Sequence, residues 1–486
     1  MSSLLYDLFH KTAVKQADHA AILGPVRYAI TYGELDRMIS DTSEWLRQTG
    51  VKEGDCVGLH YPSGSQYIIL NYALWRCGAS VVPIATELAS VEKTEIFRQI
   101  ALNFVISGRG RLTFADPHRC GDPAPVAEDA FITALASPCD QPPEFDAIDT
   151  AFIRFTSGTT GLSKGVVLSH RTVLERIEAA NEALHIGSDD RVLWLLSMAY
   201  HFTVSIVSYL TYGATIVLPD NHFASAVIAA CRRHQATLIY ASPTHWGILA
   251  AYPTPSPLES LRLAISTTTS LDIPVADKFR KNYGPPLTQA LGIIEVGLPC
   301  INLDFAETKP DSVGRVLPAY ELRLVDVGLG DSLKEIYVRG KGMFDAYYRP
   351  WRPRGQIVND GWFATGDIGE LDSDGCLYIR GRRKDVISIM GMKFFPQEVE
   401  AVLGSHPAVA AAVVFTEHDS RRGEAVHAHV VCKAGTSSPA LRDDLRTWCK
   451  ARLAFYKVPE VIEFVDALAQ TASGKVLHPQ PQGVEA

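Results

Sequence analysis

The chain lacks the marks of several protein classes. Its nine cysteines form no Cys-x-x-Cys pair, and none stands beside a spaced pair of histidines. That argues against a disulfide framework or a zinc site and for free, mostly buried thiols in a reducing compartment. No basic block interrupts a net charge of −8, so neither nucleic acid nor a polybasic membrane anchor is expected. The opening Met1-Ser2-Ser3-Leu4-Leu5-Tyr6-Asp7 lacks the charged-then-apolar order of a signal peptide. Internal repeats and low-complexity tracts are missing too, and the expectation is a cytoplasmic protein.

Charge is absent from one long run. Between Val192 and Leu218 there is no Asp, Glu, Lys or Arg, a length sufficient to span a bilayer. His201, Gly213 and many hydroxyl side chains interrupt it. It divides into a buried strand (192–196), a buried helix (202–212) and a second strand (214–218), the pattern of an α/β core rather than a membrane insertion.

What is present points the same way. At 486 residues, 47% hydrophobic and 21% charged, the chain holds two to four domains or subdomains. An amphipathic helix (4–15), a hairpin (21–31) and a helix ending on Gly50 open it. A strand (54–59), a helix (65–77) and a strand (80–84) then set a βαβ rhythm, which predicts a parallel sheet covered by helices. Residues 108–147, rich in Asp and Pro, read as an irregular connection. The rhythm resumes at 237–241, 261–266 and 287–291, and strands dominate from Val313 onward. A charged linker at 381–385 precedes a small α+β region with helices at 396–403 and 440–453 and strands at 408–415 and 425–432. The predicted boundaries are 1–380, a hinge at 381–385, and 386–486.

The densest local signal is Phe155-Thr156-Ser157-Gly158-Thr159-Thr160-Gly161-Leu162-Ser163-Lys164-Gly165. Glycines allow close backbone approach, hydroxyls and free amides donate hydrogen bonds, and lysine adds a point charge, which together suit an anion. A Walker A loop is excluded because Gly165, not Ser or Thr, follows Lys164. Alone, the stretch fits an ordinary turn equally well.

With its companions, the loop resembles the phosphate loop of the adenylate-forming superfamily, which contains acyl- and aryl-CoA ligases, adenylation domains of nonribosomal peptide synthetases, and luciferases. Gly361 to Asp367 resembles the ribose-binding stretch, Gly381 to Asp385 with Gly391 to Glu400 the hinge, and Ser473-Gly474-Lys475 the C-terminal lysine motif. The likeness runs from about Leu4 to His478 and is nearest to stand-alone acyl/aryl-CoA ligases. It implies a large α/β N-terminal domain of doubly wound subdomains with a β-rich, barrel-like subdomain, and a small mobile α+β C-terminal domain.

The resemblance also implies roles. Thr156, Ser157, Gly158, Thr159, Thr160, Gly161 and Lys164 would hold the ATP phosphates, and Asp367 and Arg382 the ribose. Leu291 and Gly292 would border the adenine. Glu295 would bind Mg²⁺, a hard cation suited to a carboxylate. Lys475 would bridge the attacking carboxylate and the α-phosphate, supplying cation density where two anions meet, and Lys384 would be the pivot. His201, Tyr240, Thr267 and Thr268 fall at the acyl pocket, which Pro243, Thr244 and Trp246 either continue or back as core.

The chain departs from the family pattern in places. Leu291-Gly292-Ile293-Ile294-Glu295 stands where Tyr-Gly-x-Thr-Glu is usual, so Ile294 offers no hydroxyl and Leu291 no aromatic ring. Ser266-Thr267-Thr268-Thr269-Ser270 replaces Ser-Gly-Gly-Ala-Pro, adding side chains where glycines leave room. The aspartate that pairs the α-ammonium in amino-acid-activating relatives is missing near Met198 to Phe202. An uncharged acyl or aryl carboxylic acid is therefore the expected substrate, not an α-amino acid. CoA or the phosphopantetheine of an acyl carrier protein would accept the acyl group. The alternative from another class is a non-catalytic member that binds nucleotide or acyl group.

Overall fold

The computed structural model describes residues 3–25, 28–109, 118–136, 139–155, 164–329, 333–389, 392–419, 423–434, 436, 439–469, 476–477 and 479. They form two compact units. The first comprises Met1–Leu322, Val338–Phe363 and Ser373–Leu377, and the second Arg323–Tyr337, Ala364–Asp372 and Tyr378–Ala486.

Two nine-stranded sheets build the first unit. One runs in the order Arg315–Val316, Gly297–Ile301, Leu287–Ile293, Leu263–Ser266, Leu238–Ala241, Arg191–Trp194, Thr215–Val217, Ala20–Leu23, Ala29–Thr31. Its interior pairs are parallel and its edges antiparallel. The other runs Arg352–Pro353, Ala346–Tyr347, Gly165–Ser169, Thr150–Phe155, Ser80–Pro83, Cys56–His60, Phe104–Gly108, Ala130–Ala134, Ala124–Ala127. Its central pairs, joining Phe104–Gly108, Cys56–His60, Ser80–Pro83 and Thr150–Phe155, are parallel and the rest antiparallel. Cys56–His60 and Ser80–Pro83 are buried throughout, as parallel strands under helices on each side are.

Local chemistry explains the elements. Thr31 and Glu34 form a reciprocal capping box, with Glu34 N–H donating to Thr31 Oγ1 (3.2 Å) and Thr31 N–H to the Glu34 carboxylate (2.8 Å), which starts helix Tyr32–Gln48. Helix Leu4–Lys15 buries Leu5, Tyr6, Phe9 and Ala13. Phe9 meets Tyr72 at 5.0 Å between ring centroids, Tyr72 meets Trp75 at 5.1 Å, and Trp75 meets Phe202 at 5.8 Å. Such offset and edge contacts add to simple area burial. They also account for the uncharged run: it folds as strand Arg191–Trp194, helical segments Met198–His201, Phe202–Ile206 and Val207–Thr211, and strand Thr215–Val217. Among the described residues no helix is long and apolar enough to cross a membrane.

Within 108–147, the described residues 124–134 are more ordered than the composition predicts. Ala124–Ala127 and Ala130–Ala134 form an antiparallel hairpin at the sheet edge. Pro125 is tolerated there because an edge strand has N–H groups with no ladder partner to lose.

Asp190 clips the amino ends of four neighbouring strands. Its carboxylate accepts from Thr237 Oγ1 (2.6 Å), from Arg262 Nε and Nη2 (both 2.8 Å) and from the Gly187 amide (3.1 Å), while its carbonyl accepts from Thr215 N–H. Burial raises the acid's pKa, but these donors outweigh it and the net shift is downward.

The second unit holds most of a four-stranded sheet ordered Tyr320–Val325, Lys334–Gly340, Phe363–Leu371, Leu377–Arg382. It also holds the three-stranded sheet Val409–Asp419, Gly423–Cys432, Val461–Phe464. Val399, Leu403, Val414, Ala428, Val430 and Leu445 share an apolar cluster that seats helices Pro396–Gly404 and Pro439–Lys450 on that sheet. None of the nine cysteines is in a disulfide. The fold is the α/β class the sequence predicts, with a large mixed-sheet N-terminal part and a smaller C-terminal one.

Asp190→Asn is expected to cost about 2 kcal/mol, the scale of hydrogen bonds to a charged group, with the half-exposed Arg262 contributing less through solvent screening. Because the folded pKa is depressed, the contribution is full above the unfolded carboxylate value of about 4. It is lost as pH falls from there through the folded value. Urea denaturation of both proteins at neutral pH and under acid checks this: the gap should close in acid.

Candidate active site

The carboxyl ends of the parallel strands deliver one cluster, all within the first unit. Trp194 ends its strand and Tyr240 lies in register beside it. Their rings stack at 6.0 Å with an interplanar angle of 10°. His201, on the short helix Met198–His201, meets both edge-on at 6.4 and 6.2 Å. Thr267 follows strand Leu263–Ser266, is buried, and donates its N–H to the carbonyl of Ala241 (3.1 Å), the residue after Tyr240. Burial raises the Tyr240 phenol, and the Thr267 hydroxyl opposes the rise. The side chains His201, Tyr240 and Thr267 named from the sequence are thus brought together. Trp246, by contrast, is fully buried against Phe279 in the helix-covered core.

Thr268 carries strain. Its φ is +85°, a region that costs a β-branched residue on the order of 1–3 kcal/mol. Added side chains here face the neighbouring strand: a Cβ on Gly292 would lie 3.9 Å from Thr267 Oγ1. Leu291, beside Gly292, is buried and pairs with Cys300.

Glu295 occupies the turn between strands Leu287–Ile293 and Gly297–Ile301. Its carboxylate accepts a hydrogen bond from Tyr347 Oη (2.9 Å) and its carbonyl one from Phe344 N–H (2.8 Å). Burial and the Glu295 charge both push the Tyr347 phenol up, so it stays a neutral donor. Lys164 Nζ lies 4.9 Å from the centre of the Tyr347 ring. Tyr347 therefore links Lys164 and Glu295, a connection sequence reasoning missed because all three are far apart in the chain. The remaining phosphate-loop residues Thr156, Ser157, Gly158, Thr159, Thr160 and Gly161, and Lys475, lie outside the described residues.

In the second unit, Asp367 is buried and pairs with Arg382 Nε at 2.6 Å. Gly366, at φ +73°, makes the turn that lets Asp367 N–H donate to Thr365 Oγ1 (3.0 Å). Arg383 pairs with buried Glu335 at 2.8 Å. A side chain at Gly381 would collide with the Phe395 ring, so the motif admits only glycine there without a shift. Lys384 follows in the turn Arg383–Asp385, where burial lowers its pKa, Asp385 opposes and Arg382 adds to the fall.

Sequence reasoning also passed over Arg154. It sits in strand Thr150–Phe155, whose Ile153 and Phe155 belong to an apolar cluster on one face. Alternation directs Arg154 to the other, where its guanidinium carbon lies 5.4 Å from the Tyr200 ring centre. Burial lowers its pKa to about 10, with the charges of Tyr200, Glu295 and Tyr240 opposing. The signal was a lone charge in an otherwise apolar strand.

The AMP-binding enzyme model matches residues 9–348, and the AMP-binding enzyme C-terminal domain matches 398–475. The chain belongs to the AMP-binding enzyme family. This AMP-binding enzyme is 30% identical over 480 residues to a 2-succinylbenzoate–CoA ligase of Bacillus licheniformis, covering 96% of this chain and 95% of that one. It is 28% identical to a feruloyl-CoA synthase of Amycolatopsis, with 95% of each covered. Among solved structures, the O-succinylbenzoate coenzyme A synthetase of Bacillus subtilis in complex with AMP superposes with a TM-score of 0.84 at 26% identity, covering 98% of both chains.

Thr268→Gly removes the strained side chain, at the expense of some chain entropy. The expected net effect on this AMP-binding enzyme is a gain of up to about 1 kcal/mol, read as a raised denaturation midpoint. A lowered midpoint would show that the threonine side chain packs productively despite its backbone.

Proposed function

We propose that the protein is an acid–thiol ligase that activates a carboxylic acid with ATP and passes the acyl group to CoA. The observation that carries the proposal is similarity along nearly the whole chain to named CoA ligases, C-terminal domain included. In the first step a carboxylate oxygen attacks the α-phosphorus of ATP, the bond to pyrophosphate breaks, and an acyl-adenylate forms. In the second, a thiolate attacks the acyl carbon, the bond to the AMP oxygen breaks, and a thioester forms.

The residues suit these steps. Lys164 and the hydroxyl-rich loop before it would bind the β- and γ-phosphates, and Asp367 would accept from the ribose hydroxyls while Arg382 fixes its orientation. Among the described residues no three His, Cys, Asp or Glu side chains converge as a metal cage. A single half-buried carboxylate oriented by Tyr347 fits Mg²⁺, which binds through one or two carboxylates and the substrate's own phosphates. Glu295 would hold it, and the ion when bound supplies neutralisation of phosphate charge. Lys475 would meet the carboxylate and α-phosphate together, with the C-terminal domain pivoting at Lys384 between the two steps. The acid pocket is the cluster of Trp194, His201, Tyr240 and Thr267, and His201 with Thr268 sets its shape. Free CoA is favoured over carrier-bound phosphopantetheine because the similar proteins of full coverage are named for CoA.

An ATP–pyrophosphate exchange assay over fatty, aryl and small branched acids tests the first step. Exchange with at least one acid is expected, and silence from folded protein across the panel would sink the proposal. Lys475→Ala should slow exchange roughly 10²–10³-fold, as loss of one transition-state donor does. CoA against a phosphopantetheinylated carrier protein then identifies the acceptor.

A further inference from the structure

Arg154 is the group the proposed chemistry leaves unused. Its Nε is sealed from solvent with no hydrogen-bond partner, and among the described residues no carboxylate lies within ion-pair distance. A donor held this way is costly, because its desolvation is not repaid by a hydrogen bond, while the side chain as a whole is half-buried. A methionine would fill the same strand position without that penalty. Glu295, a carboxylate whose charge reaches it, is engaged with Tyr347. The other groups it faces, Tyr200 and Tyr240, are aromatic, and Tyr240 belongs to the cluster with Trp194, His201 and Thr267. A ring can stack on guanidinium but cannot satisfy its N–H donors.

We infer that Arg154 binds a second carboxylate of the acid substrate, so that the protein activates a dicarboxylic acid whose body lies among Trp194, His201 and Tyr240. The inference rests on the proposed acid activation and amends the expectation of an uncharged acid body. One carboxylate reacts at the α-phosphate and the other takes the planar, two-pronged fork of the guanidinium, a geometry that lysine cannot reproduce. The aromatic walls suit an aryl or other flat spacer. Arg154 is thereby a specificity-determining residue, distinct from those that would hold ATP.

Matched acids test this: phenylbutanoate against its ortho-carboxy derivative, and octanoate against octanedioate, in pyrophosphate exchange with wild type, Arg154→Met and Arg154→Lys. Wild type should prefer at least one diacid over its monoacid. Arg154→Met should raise KM for that diacid roughly 10- to 100-fold, with KM for ATP unchanged and the preference gone. Arg154→Lys, which keeps the charge and guards against a folding defect, should fall between. Exchange with monoacids only would overturn the inference while leaving acid activation standing, and so would a rise in KM for ATP with acid preference intact. If no acid supports exchange, acid activation fails, and calorimetry decides this inference separately. Diacid binding that Arg154→Met weakens sustains it, and unchanged or absent binding overturns it.

Discussion

Strands Arg191–Trp194, Leu238–Ala241, Leu263–Ser266 and the start of Leu287–Ile293 pair in parallel, and parallel pairing sends all their carboxyl ends to one edge. Helices cover the faces, so that edge is where loops can gather side chains from distant parts of the chain. His201, Thr267 and Glu295 each follow one of these strands, and Trp194 and Tyr240 stand in their last turns of pleat. The opposite edge does structural work. Asp190 ties the strand starts there through Thr237, Arg262 and Thr215, which fixes the register that the other edge depends on.

Electrostatics then sorts the cations. Activating a carboxylate on ATP brings anions together, and positive charge must be present without collapsing onto the protein's own acids. Arg382 and Arg383 each hold a buried carboxylate, Asp367 and Glu335. Those pairs orient both members and leave only the remaining acceptor and donor sites for a ligand. Lys164 rests over the Tyr347 ring, which attracts the ammonium. Among the described residues Arg154 has no such ion pair, and the partner proposed for it is a carboxylate of the substrate.

How much of this was legible in the sequence depended on whether the signal was local. The glycine-bearing motifs could be read because backbone geometry dictates them: Gly366 needs positive φ and Gly381 must admit the Phe395 ring. Alternating helix and strand patterns gave the α/β class, and interruptions by His201 and Gly213 correctly told a buried run from a membrane span. The hairpin at 124–134 was missed because Asp and Pro around it suggest loops, whereas its pairing with Phe104–Gly108 is a tertiary event. Trp246 belongs to the core for the same reason: which face of a helix is covered is decided by neighbours far away in the chain.

The acid pocket shows where local rules give way. Thr268 holds a backbone conformation that glycine would take freely, and Arg154 holds a charge where the strand pattern calls for an apolar side chain. Neither improves the fold on its own account: one stores strain, the other forfeits hydration. Substitutions with such penalties persist only where something else offsets them; Thr268 follows Thr267 of the aromatic cluster, and Arg154 lies against Tyr200 within reach of the Tyr240 phenol. In the proposed pocket, threonines in place of glycines would narrow the space and disfavour bulky acids, while the Arg154 guanidinium would disfavour acids with nothing to offer it. Shape and charge would then act on the same ligand from two sides, and together they would exclude far more acids than either alone.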